Sequence, residues 1–405
     1  MTWRGIAPMF HVCSLSMQVR SRAKWGSRVE GVVRHDGQWV GRADGDTPGW
    51  VTLELEPHGD HLAGVAYHYP DDPELNALAV DFVMEPGQTH VVLNSLLTTP
   101  FAPHNGTEFR HDDLGQHFPN AMVSKTADLT LTFNGERVAF EYSTPPAGDY
   151  PGSRGSGVAT KAHSGPPLTP SHTMSWDDFR AAAFTPERGR FLYRGQSNSE
   201  WRLRTTFHRS PLKNLTRYRQ EIAADVFSTI APLLPMALDL SKPEHTGAFY
   251  NLLQHHGFPT PLLDWSHSPF IAAYFAFEGR RQDEAPEGHV RIFMFDWKSW
   301  SVLPQQPLLS YTSQHVSLVR IVPLANPRWV PQQASVTLTN VDDIEAYFAR
   351  ATTASGVEYL RAIDIPVTDR KAALNDLAVM GIHHGSLFPG LDGTCRSLAH
   401  KHFGA

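Results

Sequence analysis

Cysteine is scarce in this chain: its 405 residues include two, Cys13 and Cys395, at opposite ends of the sequence. Such a pair cannot supply the framework of bridges common in secreted folds, so both are read as reduced thiols and the compartment as cytoplasmic. Long apolar runs are lacking too. No stretch reaches the roughly 18 uncharged apolar residues of a membrane-spanning helix, the longest being the run after Pro269, so a soluble chain with no membrane partner is expected. Basic excess is also missing, since 41 Asp and Glu outnumber 35 Lys and Arg for a formal net charge of −6. A protein that coats nucleic acid needs a dense Lys/Arg surface, and no nucleic-acid partner is expected here. Absent as well are G-x-x-x-x-G-K-[ST], H-E-x-x-H, C-x-x-C and G-x-S-x-G, each of which would have pointed to a defined chemistry. The 22 histidines are scattered. The adjacent pairs His255-His256 and His383-His384 cannot turn both rings to one face of a helix or strand, and no bound metal is expected.

What is present is ordinary globular composition, 41% hydrophobic and 19% charged. The length suits two domains of about 100–200 residues each. Residues 1–31 carry Arg4, Arg20, Arg22, Lys24 and Arg28 with no apolar stripe, and read as a flexible basic leader. From 32 to 144 short alternating segments dominate. Val51, Leu53 and Leu55 share one face while Thr52, Glu54 and Glu56 share the other, and Pro57-His58-Gly59-Asp60 turns the chain into the next strand. Asn134-Gly135 is a pair that a two-residue hairpin turn prefers. The pattern predicts an antiparallel β sandwich or barrel, in which Gly41, Gly64, Trp39, Trp50, Tyr67 and Tyr69 either line a ligand cavity or fill the core. Residues 145–174 are rich in Pro, Gly and Ser and read as a linker. Residues 175–405 alternate helices with short strands, an α+β domain.

That second domain is organised around Phe191 to Phe277. Phe191-Leu192-Tyr193 suits a buried strand that ends in Arg194-Gly195-Gln196, and Leu262-Leu263 suits another that exits through Asp264-Trp265-Ser266-His267. Ser268 and Pro269 then cap and open a helix that Gly279 ends, and its nearly all-apolar faces require burial on most sides. An arginine at a strand end can hold a diphosphate with its fork of donors, or it can neutralise a carboxylate such as Asp264; both remain open for Arg194. Gly195 allows close backbone approach, and Gln196 adds an amide. Ser266 and Ser268 are caps or ligand contacts, and Tyr274 is core or a stacking ring.

The stretches YRGQ, LQHHGFPTPLLDWS, NPRWVPQQ and MGIHHGSLFPGLDG resemble, in this order over Ser175 to His402, the motifs of the FRG domain. The FRG domain is in turn similar to the ADP-ribosyltransferase superfamily. The resemblance implies an ADP-ribosyltransferase-like α+β core and NAD as substrate, with Arg194 on the diphosphate, Tyr193, Gly195, Gln196, Trp265, Ser266, Tyr274 and Arg328 around the cofactor, and Asp264 with Gln333 completing the catalytic set. The chain departs from the pattern at Ala334 and Val336. Gln also stands where many ADP-ribosyltransferases place a Glu, which leaves Asp264 or Glu200 as the carboxylate. The expectation is an NAD-using transferase or NAD-hydrolysing enzyme, a toxin or defence effector whose β domain recognises a protein acceptor or trigger. The alternative is a non-catalytic nucleotide- or protein-binding FRG module.

Overall fold

The computed structural model describes residues 35–121, 124–234, 236–279, 287–305, 313–321, 323 and 326–403. The basic leader, with Cys13, lies outside them. Eight strands come first: β1 (Gly37–Gly45), β2 (Gly49–His58), β3 (His61–Pro70), β4 (Ala77–Met84), β5 (His90–Phe101), β6 (Thr126–Asn134), β7 (Arg137–Thr144) and β8 (Ser153–Lys161). Each pairs with the next, and β8 returns to β1, so they close into an antiparallel barrel. Alternation explains the closure. Val51, Leu53 and Leu55 point inward onto Trp39, Phe82, Leu131, Phe133 and Phe140. Thr52, Glu54 and Glu56 point outward as expected, yet all three are buried: Glu56 is met by Lys213 and Arg217 of the second half of the chain, and Glu54 by Gln38 and Tyr67.

Of the residues named for a cavity, Trp39 sits in the barrel core. Tyr67 and Tyr69 pack instead in a separate cluster on Phe101, with ring centroids 6.4 and 5.8 Å away, and Trp50 is half-exposed beneath Arg42 and Arg350. The barrel retains a cavity of about 60 Å³ near Val80, Leu129, Phe140 and Tyr142, room for no more than a few waters. The turn after β6 is shifted by one residue from the expected pair. Asn134 pairs with Arg137, so the loop is Gly135-Glu136, with a positive φ at Gly135 as a II′ turn requires.

The stretch 145–174 is not the structureless linker that its composition suggests, because Ser153–Lys161 is the strand that closes the barrel. Its glycines are covered from β7: a Cβ on Gly155 would lie 2.6 Å from the Tyr142 hydroxyl, and one on Gly157 would lie 2.6 Å from the Phe140 ring. Those rings provide the apolar cover that the strand's own side chains lack.

The second sheet has seven strands in the order β13-β14-β11-β10-β12-β15-β9. They are β9 (His172–Thr173), β10 (Leu192–Gln196), β11 (Leu262–Ser266), β12 (His289–Phe295), β13 (Val316–Val319), β14 (Ala334–Thr339) and β15 (Leu360–Pro366), antiparallel except for β9 on β15. Helices cover both faces. Tyr193, Val290, Ile292 and Met294 meet the Pro269–Glu278 helix on one side, while Leu192, Trp265, Phe293 and Phe295 meet Phe348 and Trp300 on the other. The Pro269–Glu278 helix has the predicted bounds, with the Ser268 hydroxyl accepting from the Ile271 N–H at 3.3 Å. The helical stretch from Leu215 to Leu233 is interrupted by a π turn at Tyr218–Ile222 and ends in a 3-10 turn. Among the described residues no helix is long and apolar enough to cross a membrane.

Candidate functional site: a cleft where two strands part

β10 and β11 are sheet neighbours, yet they pair at one position, Tyr193 with Ser266. On their outer sides β10 pairs with β12 over Leu192 to Gln196, and β11 with β14 over Leu262 to Ser266. Beyond the Tyr193–Ser266 bridge the two strands diverge, and a cleft of about 440 Å³ opens between them. Residues far apart in sequence converge on it: Arg194 and Gln196 from β10, Asp264 from β11, Arg209 from the Thr206–Arg209 helix, Gln254 from the end of the Pro243–His255 helix, and Arg328.

Arg194 donates through Nη1 to the Asp264 main-chain carbonyl at 2.7 Å, not to its carboxylate. Its buried Nε has no hydrogen-bond partner among the described residues. Burial depresses the Arg194 pKa, and the like charge of Arg209 depresses it further, against a pull from Asp264. Among the described residues, none of the ion pairs engages Arg194, Arg209 or Arg328. The Arg328 guanidinium lies over the Phe388 ring, 4.9 Å from its centroid. Among the described residues, three guanidiniums thus line the cleft against one carboxylate.

Asp264 is the carboxylate among the residues that line it. The surrounding protein raises its pKa above the ordinary carboxylate value, while Arg194 and a hydrogen bond from Gln254 draw it back down. Gln254 Nε2 donates to Asp264 Oδ2 at 2.5 Å, and its own Oε1 accepts from the hydroxyl of buried Thr260. Glu200 is exposed and does not line the cleft.

The other predicted site residues divide. Tyr193 and Trp265 line the cleft, but their rings belong largely to the two cores, and the Trp265 indole donates to Thr337 Oγ1 at 3.0 Å on the face away from Asp264. Ser266 lines it as well, with its hydroxyl already occupied: it donates to the Gln332 carbonyl at 2.8 Å and accepts from the Ser268 N–H at 3.1 Å. Gly195 lines the cleft and also lets the Pro269–Glu278 helix approach, since a Cβ there would lie 1.9 Å from the Ala272 carbonyl oxygen. Gln196 leaves Oε1 buried without a partner among the described residues.

Two of the predicted residues lie away from the cleft. Tyr274 does not reach the cleft, because its position on the Pro269–Glu278 helix turns it into the core, with its hydroxyl 3.4 Å from His384 Nδ1. Gln333 does not line the cleft either. It has φ of 46° and an exposed side chain, and its carbonyl accepts from the His267 N–H at 3.0 Å, so Gln332 is the member of the pair that lines the cleft. Reading by sequence also missed Arg209, which stands in a four-residue helix with no motif around it. Gln254 had a signal, as the first polar residue of the quoted LQHHGFPT stretch.

Residues 189–285 match the family model of the FRG domain. The matched stretch holds β10, Arg209, Gln254, β11 and the Pro269–Glu278 helix. The motifs near Asn326 and Phe388 lie beyond it, and the fold brings them to the same cleft. No curated protein matches the chain. Among the described residues no group of three or more His, Cys, Asp and Glu is placed to hold a metal ion.

Proposed function

We propose that the cleft between β10 and β11 binds NAD, and that the chain uses NAD as a substrate, transferring its ADP-ribose or hydrolysing its bond to nicotinamide. The observation that carries this reading is the convergence of Arg194 and Arg209 on one cleft, with the Arg194 Nε buried and unpartnered and neither guanidinium in an ion pair among the described residues. A diphosphate engages both through bidentate, charge-assisted hydrogen bonds. Trp201, Trp329, Phe275 and Phe388 offer aromatic faces for the rings of a nucleotide, and the volume lies in the range of small-molecule sites. The order of an arginine on a first strand, a second strand running into a helix and a later polar strand is similar to that of the ADP-ribosyltransferase superfamily and supports the same reading.

Asp264 is the group suited to the reacting centre. Its carboxylate stabilises positive charge on the ribose as the bond from C1′ to nicotinamide breaks and nicotinamide leaves with the bonding pair. An acceptor nucleophile or water then bonds to C1′ and loses its proton to Asp264 or solvent. The barrel recognises an acceptor or trigger, which suits a toxin or defence effector. A non-catalytic nucleotide-binding module is the second reading, favoured because a Gln stands where many transferases carry a Glu. Incubation of the full chain with NAD separates them: nicotinamide release that Asp264→Asn abolishes supports the enzyme, whereas calorimetric NAD binding without turnover supports the module. No heat of binding and no release would overturn both.

A further inference from the structure

Lys213 does not line the cleft, yet it holds the chain on both sides of a residue that does. Its ammonium donates to the His208 carbonyl at 2.6 Å and to the Ser210 carbonyl at 2.9 Å, gripping the main chain before and after Arg209. The His208 carbonyl also accepts from Arg204, whose guanidinium lies 2.6 Å from Asp342 Oδ1. Asp342 lies 3.5 Å from the Lys213 ammonium as well. Arg209 adds a bond from its own Nη2 to the Arg204 carbonyl at 3.3 Å. The frame that carries Arg209 is thus fixed by buried charges, with Lys213 6% and Asp342 2% exposed.

The outer ends of this frame belong to the barrel. Glu56 of β2 accepts the Lys213 N–H at 2.9 Å and the Asn214 N–H at 3.2 Å, and it also pairs with Arg217. Gln38 of β1 accepts the Asp342 N–H at 3.0 Å through Oε1. A carboxylate facing outward from a barrel strand and buried to 3% exposure carries a desolvation cost, which these donors offset.

We infer that Lys213 is a positioning residue for Arg209, and that the barrel, through Glu56 and Gln38, completes the cleft rather than only recognising a partner. The inference rests on the nucleotide reading of the cleft. Removing the Lys213 ammonium frees the Ser210 carbonyl and leaves the His208 carbonyl to Arg204 alone, so the Arg209 guanidinium must be ordered further at the moment of binding and affinity falls.

The test is calorimetry of the full chain with ADP-ribose as the probe. Lys213→Met and Glu56→Gln should each weaken binding about tenfold, the scale of one well-placed charge-assisted bond. Lys213→Met in an Arg209→Ala background should add nothing, because Lys213 acts through Arg209. Unchanged affinity in both single variants, or losses that add with Arg209→Ala, would overturn the inference while leaving the nucleotide reading intact. Absence of ADP-ribose binding by the unaltered chain would overturn the nucleotide reading, and this inference with it. Should Lys213→Met fail to fold, Glu56→Gln, which keeps size and shape, decides alone. A purely structural role would lower the melting temperature and the number of competent sites but leave the Kd of those sites unchanged.

Discussion

The seam where β8 meets β1 and the seam where β10 meets β11 are built from the same materials and end in opposite ways. β1 and β8 pair without interruption from Trp39 opposite Lys161 to Gly45 opposite Gly155. Small residues permit it, since a Cβ on Gly157 would lie 2.0 Å from the Arg42 carbonyl oxygen. β10 also carries a glycine, but the main chain crowding Gly195 is that of the Pro269–Glu278 helix and not that of β11. Glycine in the barrel draws strand to strand; in the second sheet it draws helix to strand. The gap left on the other side of β10 is occupied by Arg194 and Asp264, charged groups that cannot be packed away like a core pair. A cleft results where a ladder would otherwise continue.

The largest effect should come from filling the space at Gly195. Gly195→Val would drive side-chain carbon into main-chain oxygen of Ala272, which cannot rotate aside, and loss of the second domain's fold is expected. Circular dichroism and thermal melting test this. A soluble variant melting within about 2 °C of the parent would mean that the helix can retreat and that its approach does not define the cleft wall.

The next two effects concern the buried charges between barrel and second domain. Burial pushes the Asp342 carboxyl up, but the hydrogen bond from His163 and the charges of His208, Lys213 and Arg204 overcome it and hold it well below the usual carboxylate range. A lowered folded pKa contributes stability that is present above the unfolded value near 4 and lost as pH falls through the folded one, so this junction weakens only in strong acid. Asp342→Ala should cost about 3–5 kcal/mol by stranding Lys213 and Arg204. A cost below about 1 kcal/mol in urea titrations would show the cluster to be solvated in solution.

Glu54 has the opposite sign. Burial, reinforced by Glu56, pushes it up to about 8, against hydrogen bonds from Gln38 and Tyr67. A raised folded pKa contributes stability that is complete below the unfolded value near 4.5 and lost as pH rises through about 8. The parent should therefore lose about 1–3 kcal/mol between pH 5 and pH 8, and Glu54→Gln should flatten that slope. Equal slopes for the two proteins would place Glu54 in water.

The two seams differ as well in how far residues announce them. The cleft is legible from Arg194 and Asp264 because each is a charge that interrupts a short apolar run, although both lie at the centres of their strands and not at the ends where the sequence places them. The helix behind it is legible because Ser268, Pro269 and Gly279 are local start and stop signals that need no tertiary context. β8 is not legible, since its apolar cover is contributed by Tyr142 and Phe140 of another strand and its own Gly and Ser resemble a linker. Arg209 is hidden for a related reason: its placement depends on Lys213, Asp342 and Glu56, which come from three parts of the chain. The choice between Gln332 and Gln333 turns on one left-handed residue, a rotation that periodicity cannot express.

The smallest effect sharpens the comparison at the point where the strands begin to part. Ser266 is half of the single pair between β10 and β11, and its hydroxyl fastens the Gln332 carbonyl and the Ser268 N–H. If that tie is its role, Ser266→Ala should cost about 1 kcal/mol in stability, the net value of a typical hydrogen bond, and weaken ADP-ribose binding about twofold or less. If the hydroxyl instead serves a ligand, as its place in the quoted motif implies, the balance reverses: affinity falls about tenfold or more while the melting temperature barely moves. The two quantities come from one preparation, by calorimetry and thermal melting, and their ratio is the result. A large affinity loss with little change in stability would show that the Ser266 hydroxyl serves the ligand and not the tie to Gln332.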